Sequence, residues 1–231
     1  MGRTLTSSAL VLKTYDIGDA DRLCILLTEQ SGRLAALSKG VRKPKSRWSG
    51  ALQSFQHLQV DLSEHSSGWY LRSAECISSF DGLRRDMEKF RVASEGCELL
   101  LRFLHDTEDG AEPIFHLTRD FLQALNRSPS PLLLPTFRLS LLTALGSLPS
   151  FTEYSRANIS PSLRSWLSSQ ASFTGKIACT LSASDMTQLH RLSETFVRDH
   201  LSFPLKSVSC FARSRGSSGG TPISSILERA S

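Results

Sequence analysis

Leu58-Gln59-Val60-Asp61-Leu62 is the stretch that decides the fold class of the first third of this 231-residue chain. Apolar and polar residues alternate there with a period of two, which is typical of a β-strand buried on one face. Four more runs of strand character surround it, at 9–12, 23–28, 33–37 and 69–77. Turn-forming residues separate most of these runs, and a longer connection follows the third. The sequence therefore predicts a small five-stranded β-barrel.

The OB-fold is one such small barrel, and it is the architecture we expect for residues 1–80. Beyond residue 80 the apolar spacing becomes helical and predicts helices over 83–104, 114–125, 132–145 and 184–201. Phe90, Ala93 and Cys97 would share a buried face, Gly146 would end the third helix, and Ser184 would cap the last. The predicted class is α+β, with an α-helical domain over 81–212 and a disordered tail over 213–231.

The composition excludes several classes of protein. Hydrophobic residues make up 40% of the chain, enough for a core. No run approaches the roughly 18 apolar residues that a membrane helix needs, so we expect no membrane association. The five cysteines are scattered and include no CxxC pair. This pattern predicts reduced thiols in a cytoplasmic protein rather than a disulfide framework or a zinc ribbon.

The basic charge is concentrated in one segment. The net charge is only +5, but residues 33–60 contain no acidic residue at all. Six cations in this segment are the predicted nucleic-acid-binding residues: Arg33, Lys39, Arg42, Lys43, Lys45 and Arg47. Gly40 and Pro44 predict a loop, and closely spaced cations on a loop are suited to following phosphates, although a solvated loop is the simpler alternative.

Three residues near this loop have open roles. Trp48 could stack on a base or anchor the loop on the core. Lys13 and Arg22 are possible peripheral contacts to the same nucleic acid. Their positions in the folded chain decide between these roles.

The motifs of common enzymes are absent from the sequence. It contains no GxxxxGK[ST], GxGxxG, GxSxG or HExxH pattern. His105-Asp106, with Glu108 and Asp109 nearby, is interpreted as an exposed helix end rather than a set of metal ligands. We therefore predict a binding protein with no catalytic residue and no cofactor.

Several motifs together resemble one known family. They are Gly18-Asp-Ala-Asp-Arg22, Leu27-Thr-Glu-Gln-Ser-Gly-Arg33, Ser38-Lys-Gly-Val-Arg-Lys43 and Gly50-Ala-Leu-Gln-Ser-Phe55. In this order and spacing they resemble the start of the RecO family of bacterial recombination and DNA-repair proteins. The similarity is strong to about residue 80 and weaker in the helical half, where Pro204-Leu-Lys-Ser207 is one matching stretch.

This resemblance implies a function and partners. Members of the RecO family combine an OB-fold with a helical domain. The resemblance therefore implies that the chain binds single- and double-stranded DNA, anneals complementary strands, and helps load RecA onto DNA covered by the single-stranded-DNA-binding protein SSB. The implied partners are RecR and the acidic C-terminal tail of SSB, which docks on the helical domain, and the implied location is the cytoplasm at the nucleoid. Arg138 and Lys206 are the candidate cations for that tail, beside the apolar stretch 132–142.

One departure from the family concerns zinc. Many relatives carry a four-cysteine zinc site that begins just after the equivalent of residues 145–149, whereas 151–157 here contains no cysteine and Cys179 stands alone. A tetrahedral thiolate site cannot be built from one cysteine, so we predict that the zinc site is absent. Phe151, Tyr154 and Trp166 would replace it by ordinary packing.

Two functions from other classes remain open. An OB-type RNA-binding or translation-associated module would also use a basic loop. A nuclease or phosphatase around His105-Asp106 is the other alternative.

Overall fold

The N-terminal part of the chain is a closed barrel of five strands. The computed structural model describes residues 3–44, 46, 48, 50–105, 111–147, 159–169 and 181–201. The strands are β1 (Thr4–Ile17), β2 (Asp21–Thr28), β3 (Gly32–Ser38), β4 (His57–His65) and β5 (Gly68–Ser78). Their order around the barrel is β1-β2-β3-β5-β4, and β3 pairs with β5 in parallel. The predicted OB-fold barrel, with its long connection after the third strand, is confirmed.

The strands β1 and β2 are buried on both of their faces. Leu58, Val60 and Leu62 of β4 point into the barrel core as the alternation predicts. A second set of side chains, on β1 and β2, points outward into a core shared with the helices: Leu10, Leu12, Leu23, Ile25 and Leu27. Burial on both faces explains why 23–28 has no polar alternation. The barrel therefore has its own interior core and shares a second core with the helices.

Helices make up the described part of the chain beyond residue 80. They are α1 (Asp81–Arg85), α2 (Met87–Phe103), α3 (Glu112–Arg127), α4 (Leu133–Ala144), α5 (Pro161–Ser169) and α6 (Ala183–His200). Among these helices, none has the length and apolar composition needed to cross a bilayer. The predicted α+β class is confirmed. The predicted tail at 213–231 lies outside the described residues.

The helix predicted over 83–104 is in fact two helices. Asp86 is extended (φ −115°, ψ 119°), and its carboxylate accepts the backbone N–H groups of Glu88 and Lys89 at 2.9 and 3.1 Å. Asp86 is therefore the N-cap of α2. The break between the two helices was missed because the apolar spacing continues across it. Phe90, predicted to be inward, is 36% exposed. Its ring meets the ring of Phe55 edge-on, with the centroids 5.4 Å apart.

Two predicted helix ends have different outcomes. The last helix begins one residue early, at Ala183, and its N-cap is Ser182 rather than Ser184: the Ser182 hydroxyl accepts the Asp185 N–H at 3.1 Å. The prediction for Ser184 was wrong. Gly146 does end α4 as predicted, with φ +66° and the Ser147 N–H donating to the Leu142 carbonyl at 2.9 Å.

Gly96 allows two aromatic rings to pack against α2. The rings of Phe121 on α3 and Phe137 on α4 are stacked with their centroids 4.2 Å apart. A Cβ atom on Gly96 would lie 2.6 Å from the nearest carbon of the Phe121 ring. Both rings are fully buried, so neither can move aside without repacking the core.

We expect Gly96→Val to lower the free energy of unfolding by about 2–3 kcal/mol through this overpacking. The measurement is urea unfolding followed by circular dichroism. Ser94→Val, on the same helix at a half-buried position, is the matched control and should change stability by less than about 1 kcal/mol. Equal losses in the two variants would show that the aromatic contact is not the cause.

Candidate nucleic-acid interface

The basic loop is fixed to the turn between β1 and β2. Gly40 has φ +68°, and its N–H donates to the Asp21 carboxylate at 2.7 Å. The N–H of Arg42 donates to the Ala20 carbonyl at 2.9 Å. These two hydrogen bonds hold the start of the β3–β4 connection against the neighbouring strands, and the loop is ordered there.

Part of the positive charge of the loop is used in these internal contacts. The Arg42 guanidinium donates to the Gly18 carbonyl at 2.8 Å and lies 3.4 Å from the Asp16 carboxylate. The same carboxylate accepts from Arg22 at 2.8 Å, and Arg22 also donates to the Leu52 carbonyl. Asp16 thus offsets some of the loop's charge. Arg22, a predicted peripheral contact, links β2 to the far part of the connection.

Two lysines of the loop extend into solvent. Lys39 and Lys43 are exposed, and the ammonium of Lys39 lies 5.0 Å from the centroid of the Tyr70 ring. Tyr70 is half-buried on β5 and is paired with Leu37 of β3. The imidazole of His65 packs edge-on against the Tyr70 ring, with the ring centroids 5.0 Å apart. The arrangement gives an aromatic ring beside the Lys39 ammonium, which suits contact with both a base and a phosphate.

Tyr70 was not among the predicted site residues. It lies far from the basic loop along the chain and reaches Lys39 only through the parallel pairing of β3 with β5. An aromatic pair, Trp69-Tyr70, at the start of a predicted strand was the available signal. Without the strand order, that signal could not be connected to the loop.

Trp48 anchors the loop on the barrel. It is half-buried and packs against the barrel core, as Trp69 does on the neighbouring strand. Of the two roles considered for Trp48, the structure therefore agrees with the anchor.

The structure does not bring all six predicted cations together. Arg33 begins β3 and Lys39 follows its end, so the two are roughly 20 Å apart at the usual rise of a strand. The Arg33 guanidinium donates to the Leu101 carbonyl in the last turn of α2 at 2.6 Å. Arg33 thus belongs to the contact between barrel and helices. Lys45 and Arg47 lie outside the described residues.

Arg138, one of the two candidate partner-binding residues of the helical half, is not on an exposed rim. Arg138 of α4 is 6% exposed, and its guanidinium bonds to the carboxylate of Glu95 and to the Ser193 hydroxyl, the latter at 3.3 Å. Its expected place at the edge of an apolar surface is therefore corrected, because the guanidinium is satisfied inside the core. The leucines of α4 around it are core residues too. Lys206 lies outside the described residues.

The buried cysteines and the Ser8–His57 pair have surroundings that do not favour a nucleophile, whereas Cys76 on β5 is exposed. Burial raises the pKa of the Cys24 and Cys97 thiols to about 12, which leaves little thiolate at neutral pH. The Ser8 hydroxyl lies 2.6 Å from His57 Nε2, but burial and the nearby cation Arg119 lower the pKa of His57. A catalytic triad would need a carboxylate at that position instead. Asp106, Glu108 and Asp109 lie outside the described residues.

Family models account for both halves of the chain. The model of the Recombination protein O N terminal matches residues 1–80, and that of the Recombination protein O C terminal matches residues 84–184. The chain belongs to the RecO family. Among curated relatives, the DNA repair protein RecO of Heliobacterium modesticaldum is 38% identical over 147 residues, covering 64% of this chain and 53% of that protein.

Other relatives carry the same name. The DNA repair protein RecO of Symbiobacterium thermophilum is 34% identical and covers 61% of this chain and 56% of that protein. The DNA repair protein RecO of Myxococcus xanthus is 34% identical, and the match covers 68% of this chain and 64% of that protein. The chain thus spans between half and two thirds of the length of these RecO relatives.

The RecO-like motifs have physical roles in this structure. In Ser38-Lys-Gly-Val-Arg-Lys43, Gly40 makes the turn, Val41 fills the barrel core and Arg42 fixes the loop. In the stretch that ends at Phe55, Leu52 is fully buried and Phe55 contacts Phe90 of α2. The segment at 151–157 and Cys179, on which the zinc prediction depends, lie outside the described residues.

Proposed function

We propose that this chain binds DNA as a recombination mediator in DNA repair: it anneals complementary strands and, with RecR, helps load RecA onto single-stranded DNA covered by SSB. The observation that supports the proposal is the fixed loop, with Lys39 and Lys43 exposed and Lys39 beside the Tyr70 ring. Membership of the RecO family supports it. The proposed location is the cytoplasm, at the nucleoid.

The proposed DNA contact consists of phosphates on the loop and a base near Tyr70. Lys39 and Lys43 neutralise phosphates, with Arg42 adding charge from the loop base and Lys45 and Arg47 continuing the basic segment. The hydrogen bonds of Gly40 and Arg42 order the loop before DNA arrives, which lowers the entropy lost on binding. Contacts of this kind do not depend on sequence and suit an annealing protein.

Annealing then needs no chemical step. Two single strands repel because each carries a charge at every phosphate, and cations on a protein surface reduce that repulsion. Base pairing between the strands supplies the free energy of the product. We therefore propose a non-enzymatic protein that requires neither nucleotide hydrolysis nor a catalytic residue.

The proposed partners are RecR and the C-terminal tail of SSB. An acidic tail that ends in an apolar residue needs an apolar groove with cations at its rim. Arg138 is already paired with Glu95 inside the core, so the proposed rim cations are exposed residues of the helical half. Lys206 remains a candidate for this role.

The deciding experiment is annealing of complementary oligonucleotides that are each coated with SSB. We expect the chain to increase the annealing rate at least tenfold, with a smaller effect when SSB lacks its C-terminal tail. Complementary RNA strands of the same sequence are the comparison. Equal activity on RNA together with no effect on SSB-coated DNA would favour the RNA-binding alternative and overturn the proposal.

A further inference from the structure

A cluster of three potential metal ligands lies where the barrel meets the helices. Glu29 in the turn between β2 and β3, together with Glu112 and His116 of α3, presents one ligand atom each, all within 4.8 Å of one another. The three residues are partly or fully exposed, so a hydrated ion can reach them. They lie apart from the basic loop and from the proposed DNA contact.

The distances in the cluster fit a metal ion better than a hydrogen bond. His116 Nε2 lies 3.4 Å from Glu29 Oε1 and 3.5 Å from Glu112 Oε1. Charge-assisted hydrogen bonds are shorter, about 2.7–2.9 Å. In a tetrahedral site with bonds of about 2.0–2.1 Å, neighbouring ligand atoms are about 3.3 Å apart. The two distances that involve His116 are close to that edge.

The backbone holds the ligands in place without an ion. The Glu29 N–H donates to the Ser8 carbonyl at 2.9 Å, and the Thr28 hydroxyl closes the turn by donating to the Gly32 carbonyl at 2.9 Å. Glu112 and His116 are four residues apart on one helix, the spacing at which side chains meet on one face. Two carboxylates this close repel each other unless a positive charge lies between them.

We propose that Glu29, Glu112 and His116 bind a divalent transition-metal ion of the zinc type, with water completing the coordination. One imidazole nitrogen and two carboxylate oxygens form a donor set that zinc accepts. The ion joins the β2–β3 turn of the barrel to the first turns of α3. This site uses none of the cysteines of the family's zinc site.

The expected affinity for zinc depends on what the His116 ring contacts on the side away from the ion. His116 Nδ1 is buried and has no hydrogen-bond partner among the described residues, and the ring is held by an edge-on contact with Phe115 at 5.6 Å. Metal-binding histidines with an acceptor at the other nitrogen bind about 10–100-fold more tightly than those without one. We therefore expect zinc to bind about 10–100-fold more weakly here than at a site whose histidine has such an acceptor.

The test is zinc binding by the full chain after treatment with a chelator, measured by competition with a chromophoric chelator. We expect one equivalent of zinc to bind, and His116→Gln and Glu112→Gln each to weaken binding by at least about tenfold, because loss of a ligand costs no less than loss of a group that orients one. His65→Gln is the matched control, since His65 is exposed beside Glu64 on the barrel and lies outside the cluster. It should bind zinc as the parent does.

Cobalt substitution distinguishes this site from the cysteines. A site of nitrogen and oxygen ligands gives weak visible bands without the near-ultraviolet thiolate band, and these visible bands should be lost in His116→Gln. A thiolate band, or unchanged zinc affinity in His116→Gln and Glu112→Gln, would overturn the proposal. Glu29→Gln, on a surface turn, repeats the test should a helix variant fail to fold, and each variant's metal-free unfolding midpoint checks its fold.

Discussion

Replacing Arg138 by leucine is expected to lower the free energy of unfolding by about 3–5 kcal/mol. Arg138 and Glu95 form an ion pair between α4 and α2 in which both side chains are less than a tenth exposed. Among the described residues, leucine leaves the buried Glu95 carboxylate with Arg91, half-exposed and 3.4 Å away, as its remaining cationic partner. Because a buried charge that loses its closest partner is costly, we expect the loss to appear in urea unfolding.

The double variant Glu95→Leu/Arg138→Leu is the control for that result. Removing both charges leaves apolar side chains of similar volume, a change that is often neutral or stabilising. We expect the double variant to recover most of the stability lost in Arg138→Leu. If the double variant loses as much as the two single changes added together, packing and not charge explains the effect. A charge reversal at Arg138 would likewise report on folding rather than on partner binding.

The double variant Lys39→Ala/Lys43→Ala is expected to weaken binding to single-stranded DNA about tenfold at roughly 0.1 M salt. Each phosphate contact that is lost also removes about 0.7 from the slope of log K against log salt, so the slope should become shallower by about 1.4. Both lysines are exposed, so stability should change little. Fluorescence anisotropy across a salt series measures the affinity and the slope together.

The matched control removes the same charge from the helical half. Arg85 and Arg127 are exposed cations there, and Arg85→Ala/Arg127→Ala lowers the net charge equally. It should leave the salt slope close to that of the parent. An equal change of slope in both double variants would assign the effect to total charge and would remove the loop from the DNA contact.

The local parts of the fold could be predicted because neighbouring residues determine them. The alternation at 58–62 identified a strand, and Gly146 marked a helix end that its positive φ explains. The break at Asp86 was missed because an N-cap side chain and a solvated aspartate look alike in sequence. Three-dimensional packing, and not the pattern, decides between them.

The candidate site could be predicted only in part, because its members are assembled by strand order. Lys39 and Lys43 were predicted from charge spacing, but Arg33 in the same acid-free segment lies at the other end of a strand. Arg138 was expected at a surface because its partner, Glu95, is on another helix. Glu29 meets His116 by the same kind of long-range packing, which no local motif records.

The wall of apolar side chains on the outside of β1 and β2 has a consequence for synthesis of the chain. The barrel strands are complete at Ser78, but the helices that cover Leu10, Leu12 and Ile25 end about 50 residues later, at Arg127. At about 5–20 residues per second, the ribosome needs roughly 2–10 s to supply them. During that time these apolar side chains of the nascent barrel are exposed to solvent. The chain is therefore most prone to aggregation, and most dependent on chaperones, while α2 and α3 are emerging.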